Sequence, residues 1–163
     1  MTAVESLSDL YADHYARLLA HYESLLEAGG WRGVMISSGS PVAVFGDDQA
    51  YPFRVNPRFR QWIPEGEYSQ SFLIIGDGER PRFVCHQPED YWHSVAAAPS
   101  GFWAEHFRVE CVPGPEEADR LVPAETRDYA FLGDPEDCPA GVSPDGVNPA
   151  QLVHALDYYR AYK

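Results

Sequence analysis

From Ser6 to Gly30 the stretch SLSDLYADHYARLLAHYESLLEAGG sets apolar residues at Leu10, Tyr11, Tyr15, Leu18, Leu19, Tyr22, Leu25 and Leu26, with Glu, Arg and His between them. Steps of three and four recur through that set, which is the period of an amphipathic α-helix. Ser6 and Ser8 are candidate N-caps, and Gly29-Gly30 supplies a stop. The pattern then changes to short apolar runs. Gly33–Ser37 (GVMIS), Val42–Phe45 (VAVF), Ser71–Ile75 (SFLII), Arg82–Cys85 (RFVC), Phe107–Val112 (FRVECV) and Tyr129–Leu132 (YAFL) predict β-strands. Asp77-Gly78 between the third and fourth runs predicts a tight hairpin. Shorter helical pieces are expected near Pro88–His93, Gly101–His106 and Pro115–Leu121. In Val55-Asn56-Pro57 and again in Val147-Asn148-Pro149, asparagine is placed to cap a helix whose first residue is proline. The first of these opens RFRQW, and the second opens PAQLVHALDYYRAYK, with Leu152, Leu156 and Tyr159 on one face. A long first helix, a hairpin and strands mixed with helices predict an α/β fold, a mixed β-sheet flanked by helices.

Composition narrows the classes. A chain of 163 residues with 45% hydrophobic and 23% charged residues is ordinary for one globular domain. Its 12 basic and 25 acidic residues give a net charge of −13, which repels phosphate backbones and argues against nucleic-acid binding. The longest apolar runs, such as Phe72 to Ile75, are too short to cross a membrane, and MTAVESLSDL lacks the basic-then-apolar order of a secretory signal. Three widely spaced cysteines, Cys85, Cys111 and Cys138, make neither a zinc motif nor a disulfide framework and suit a reducing cytoplasm.

The usual catalytic signatures are missing: there is no G-x-S-x-G, H-E-x-x-H or phosphate-binding glycine loop. The six histidines are scattered, and His14 and His21 are about 10 Å apart along their helix, too far to share an ion. His86, His93 and Asp47 are the remaining candidate metal trio, with solvated or hydrogen-bonded histidine as the plainer reading. Asp47-Asp48 is a candidate carboxylate pair, although neighbours in an extended strand point to opposite faces. What sets this pair apart is its surroundings. Tyr51, Phe53, Phe59 and Trp62 follow closely, and EDYWHSV adds Tyr91, Trp92 and His93. Aromatic rings with a few fixed charges suit a small-ligand surface, and they are equally common as core anchors.

The segment FGDDQAYPFRVNPRFRQWIP, Phe45 to Pro64, resembles the F-L-D-D-x-x-Y-P-F-K-V-N-P-x-F-K-x-W-x-P signature of bacterial Xaa-Pro dipeptidases, or prolidases, a group that includes the organophosphorus acid anhydrolases. The likeness extends to LYADHYARL, to SGS at Ser38 to Ser40, to PEDYWHSV and to the ending LDYYRAYK. The sequence departs from the pattern at Gly46, where leucine is usual, and in the acidic stretch Glu116 to Asp119. The resemblance implies the N-terminal α/β domain of the creatinase/prolidase type, spanning 1–163 as a single domain. In that family a second, pita-bread domain carries the catalytic residues and holds two divalent metal ions, manganese being the expected one. By this reading the present chain contributes no catalytic residue and no metal ligand. Its partners are its own catalytic domain and a second subunit of a homodimer, and the substrate is an Xaa-Pro dipeptide. Asp48 and Trp92 match positions that reach into the neighbouring subunit's pocket, and Asp47, Tyr51, Phe53, Trp62 and His93 are candidate lid or interface residues. The last helix meets Lys163 with no stop signal, so the chain is expected to be one part of a longer protein. Two other readings use the same residues: a free-standing module binding a small ligand or peptide, and a self-sufficient enzyme built on Asp47, Asp48 and His93.

Overall fold

The fold is known from a computed structural model that describes residues 6–88, 98–123 and 125–161. Helix α1, Leu7–Gly29, starts where Ser6 accepts from the Asp9 amide while the Asp9 carboxylate bonds back to Ser6, a reciprocal capping box. It ends at Gly30, whose φ of 70° is the left-handed conformation that glycine adopts without strain. Tyr11, Leu18, Tyr22 and Leu26 form its buried stripe, while Leu10 lies off that stripe and is half exposed.

Five strands make one sheet: β1 (Gly33–Ser37), β2 (Phe72–Gly76), β3 (Arg82–His86), β4 (Arg108–Val112) and β5 (Tyr129–Leu132). Their spatial order is β4-β3-β2-β1-β5. The pairs β1/β2 and β2/β3 are antiparallel, whereas β1/β5 and β3/β4 are parallel, so the expected mixed sheet is present. Asp77 and Gly78 turn the β2–β3 hairpin with φ values of 58° and 67°, as a tight primed turn requires. Side chains alternate across the sheet. Val34, Ile36, Leu73, Ile75, Phe83, Ala130 and Leu132 join the larger core with α1, while Met35, Ile74, Val84, Tyr129 and Phe131 build a smaller core on the other face. Helix α4, Ala150–Ala161, adds Leu152 and Leu156 to the α1 side; the Tyr159 side chain lies outside the described residues. Helix α3, Pro115–Leu121, sends Leu121 to the opposite face. Among the described residues no helix is long and apolar enough to cross a membrane.

Two expectations change. Val42–Phe45 forms no ladder; a single bridge, Ala43 to Ala50, remains, because Val42 and Phe45 find no layer to cover them and stay exposed. The piece at Gly101–His106 is a 3₁₀ turn over Ala104–His106 only, and most of the Pro88–His93 piece lies outside the described residues.

One ionic cluster ties the sheet's lower end together. Arg32 donates from Nε to Asp77 at 2.5 Å and from Nη1 to Glu125 at 3.0 Å, and the Tyr129 hydroxyl donates to Asp77. The Tyr129 hydrogen bond first, and then that from Arg32, hold the Asp77 carboxyl below its ordinary 3.8. A depressed carboxyl stabilises the fold fully above the unfolded value and loses that contribution as pH falls through the folded one. Asp77→Asn keeps a residue tolerant of positive φ and removes the charge. It is expected to lower stability by about 0.5–1 kcal/mol at neutral pH, since the pair is partly exposed. Urea titrations at neutral and acid pH check this: the gap to the unmodified protein should close in acid, and an unchanging gap would refute it.

Candidate functional site

β1 leaves the sheet at Ser37 into the turn Ser38-Gly39-Ser40. The Ser38 amide donates to the Ser71 carbonyl at 2.8 Å, and the Ser71 amide donates to Ser38 Oγ at 2.9 Å, so this turn is sewn to the start of β2. Ser37 Oγ and Ser40 Oγ both donate to the Asp137 carboxylate, at 3.0 and 2.6 Å. The two V-N-P motifs meet at this end of the sheet. Asn56 accepts from the Arg58 amide at 3.0 Å, capping the short helix α2 (Pro57–Arg60) as expected, and its amide donates to Ser37 O at 2.9 Å and Leu132 O at 3.3 Å. One side chain thereby bridges the ends of β1 and β5.

Asn148 behaves differently from the cap predicted for it. Its side chain accepts from the Gly133 amide at 3.1 Å and donates to the Gly133 carbonyl at 2.8 Å, latching the exit of β5. The first turn of α4 instead begins from the Pro149 carbonyl, which accepts from Val153 at 2.9 Å. Two asparagines in identical tripeptides thus do different work, because a cap is defined by where the helix starts and not by the tripeptide. Between them opens a polar cleft of about 320 Å³, lined by Ser38, Ser40, Arg54, Asn56, Asp134 and Asn148 among others.

From this fastened base a finger projects, residues 41–52. Val44 N donates to Gln49 O, and Tyr51 N donates to Val42 O, each at 2.8 Å. Gly46, with φ 75°, turns its tip. Almost nothing on the finger is buried: Phe45 is 103% exposed, Val42 65% and Tyr51 57%, and Asp47 and Asp48 are exposed as well. Phe53 sits half buried at the root, its ring beside Gly39. The tip is a turn, so strand alternation does not separate Asp47 from Asp48 as expected. Their side chains interact, and the Asp47 carboxyl is held below its ordinary value, first by the side-chain hydrogen bond with Asp48 and then by the Gln49 amide, 3.2 Å away. The arrangement therefore offers an anionic, aromatic-flanked protrusion able to meet a cation beside an apolar group. Phe45 was missed as part of it, since on paper it ends an apolar run; the glycine after it was the available signal.

Trp62, predicted at this surface, belongs elsewhere. It is fully buried in the larger core, with ring centroids 5.0 Å from Tyr22 and 5.9 Å from Tyr15, and the Tyr11 hydroxyl donates to its carbonyl. The helix α2 turns the chain inward at Phe59, so Phe59 and Trp62 enter the core together. Trp92 and His93 lie outside the described residues. Among the described residues no three of His, Cys, Asp and Glu are grouped to hold a metal ion. The pair of divalent ions implied by the resemblance therefore fits no described cluster of this chain.

The chain is similar to known proteins over nearly its whole length. The family model described as "Xaa-Pro dipeptidase, N-terminal domain" matches residues 9–158. A protein named Xaa-Pro dipeptidase from Xanthomonas campestris pv. campestris is 41% identical over 158 residues, covering 97% of this chain and 35% of its own. Proteins of the same name from Stenotrophomonas maltophilia and Pseudoalteromonas translucida are 40% and 32% identical, covering 94% and 98% of this chain. The chain spans about a third of the length of these relatives, 34% to 36%.

Proposed function

The chain belongs to the family of Xaa-Pro dipeptidase N-terminal domains, and we propose that it is the part of such a hydrolase that closes over an Xaa-Pro dipeptide bound in a neighbouring subunit. Peptide-bond cleavage belongs, in this reading, to a catalytic domain that follows it in the longer, cytoplasmic protein. There the reaction draws on two divalent metal ions, expected to be manganese. The present domain gates the site and helps to form a homodimer.

The observation that carries the reading is the finger. A chain with a well-filled core nevertheless leaves Phe45, Val42 and Tyr51 exposed around two carboxylates. Apolar side chains presented together on a protrusion mark a contact surface. A dipeptide brings a free ammonium, which a carboxylate holds with a charge-assisted hydrogen bond; Asp48 is the residue we assign to it. An indole beside the pocket supplies apolar contact and excludes water, and Trp92 takes that part. Asp47, Tyr51, Phe53 and His93 complete the lid in this reading, and Trp62 does not.

The test is Asp48→Ala in the longer protein, assayed on Ala-Pro and on its analogue lacking the amine, propionyl-proline. Loss of a hydrogen bond to a charged group should reduce kcat/KM for Ala-Pro by about 10–100-fold and leave the already poor analogue unchanged. Because Asp48 is exposed here, the thermal midpoint of the isolated chain should not move. Equal losses on both substrates, or none on either, would remove Asp48 from ammonium recognition.

A further inference from the structure

Cys85 and Cys111 are 26 positions apart in sequence but direct partners in the parallel β3/β4 ladder. Paired residues of a parallel ladder point to the same face of the sheet, and adjacent strands lie about 4.8 Å apart. That separation falls within the roughly 4.4–6.8 Å over which disulfides join Cα atoms. Phe83 and Val109, the pair two positions earlier, share this face and pack in the larger core. The two thiols differ in surroundings: Cys85 is fully buried, whereas Cys111 is exposed. We propose that Cys85 and Cys111 form a peroxide-responsive thiol–disulfide site on the edge of the sheet.

The asymmetry assigns the order of events. Burial first, and the neighbouring Cys111 second, push the Cys85 thiol up to about 12, so Cys85 stays protonated and is shielded from solvent. Cys111 is the sulfur that hydrogen peroxide can reach. Its thiolate attacks one peroxide oxygen: the S–O bond forms, the O–O bond breaks, and hydroxide leaves to take up the thiol proton. Sulfur is oxidised by two electrons and peroxide is reduced. The Cys85 sulfur then attacks Cys111 Sγ, the S–S bond forms, and the S–O bond breaks. The departing hydroxyl takes the Cys85 proton and leaves as a second water. Held side by side in the ladder, the second thiol acts at high effective concentration. The small approach needed to bring the two Cβ atoms to bonding distance is available because β4 is an edge strand, hydrogen-bonded to β3 alone. Cys138 stands apart, its thiol directed to the Pro139 carbonyl at 3.7 Å on the opposite-face core.

The site does not depend on the dipeptidase reading, and its test uses the folded chain with Cys138→Ser as background. After hydrogen peroxide treatment and alkylation under denaturing conditions, the protein should lose two hydrogen masses and both titratable thiols. Digestion should give one cross-linked peptide pair joining Cys85 to Cys111, and dithiothreitol should restore both thiols. Cys111→Ser, at an exposed position, should leave Cys85 reduced under the same treatment. Cys85→Ala should let Cys111 proceed to sulfinic acid, gaining two oxygens. Thiols that stay reduced in the folded chain, sulfinic acid on Cys111 with Cys85 free, or a Cys111 disulfide between two chains would each overturn the proposal.

Discussion

Mixing two crippled variants of the longer protein is expected to restore its activity. The first variant carries Asp48→Ala and Trp92→Ala. The second carries a substitution outside this chain that abolishes bond cleavage. In the proposed reading each homodimer is poor: the first no longer positions and seals the dipeptide, the second cannot cleave it. If the domain acts on the neighbouring subunit, a heterodimer contains one site with both defects and one site with neither. Random re-pairing of equal amounts makes about half of the dimers mixed, so about one quarter of all sites should be intact. Against a lid-variant background reduced by about 10–100-fold, that recovery is large. Domains that serve their own chain leave every site with one defect, and no recovery follows. Confirmed heterodimers without rescue would refute the crossed arrangement. The finger is the structural reason to expect rescue, because a protrusion that buries none of its own aromatic tip is shaped to be covered by something else.

The elements of this fold were legible wherever one face of a segment had to be buried. The helix from Ser6 and the strands at Gly33–Ser37 and Tyr129–Leu132 fall where periodicity puts them. β3 and β4 differ from expectation by a residue at one end, and β2 slides by one residue at both ends, where pleat and turn compete. Where reading failed, the deciding information was not local. VAVF has strand composition, but a strand needs a neighbour, and Val42–Phe45 meets only its own return at Ala50. Asn56 and Asn148 have the same flanks, and only the position of Gly133 makes the second a latch. The pairing of Cys85 with Cys111 depends on the register of two parallel strands joined by a long crossover, which spacing along the chain does not carry. The proposed surface was half legible for the same reason. A run of aromatics next to two aspartates predicts recognition or core, and the fold divides the run at α2: Tyr51 projects before it, Phe53 is half buried at the root, and Phe59 within it and Trp62 after it are buried.

That division makes Trp62→Ala and Tyr51→Ala opposite experiments on one segment. Trp62 lies at 0% exposure among Tyr22, Tyr15 and Phe107, and the backbone beside it receives the Tyr11 hydroxyl. Removing the indole withdraws a large apolar area and leaves a void between α1 and the sheet that close-packed neighbours refill only in part. A Trp-to-Ala change at such a place lowers stability by about 3–5 kcal/mol. For a domain whose total stability is on the order of 5–15 kcal/mol, the unfolding midpoint in urea should fall by about a fifth or more, with the cooperative slope retained. Tyr51, at 57% exposure on the finger, supports no core. Its removal should shift stability by less than about 0.5 kcal/mol while, in the proposed reading, weakening the longer protein on its dipeptide. Both variants are read by urea unfolding of the isolated chain and by kcat/KM of the longer protein. A Trp62→Ala domain as stable as the unmodified one would mean that the indole packs against a partner and not against α1. A Tyr51→Ala domain that unfolds early would take the finger out of the recognition surface and make it part of the scaffold.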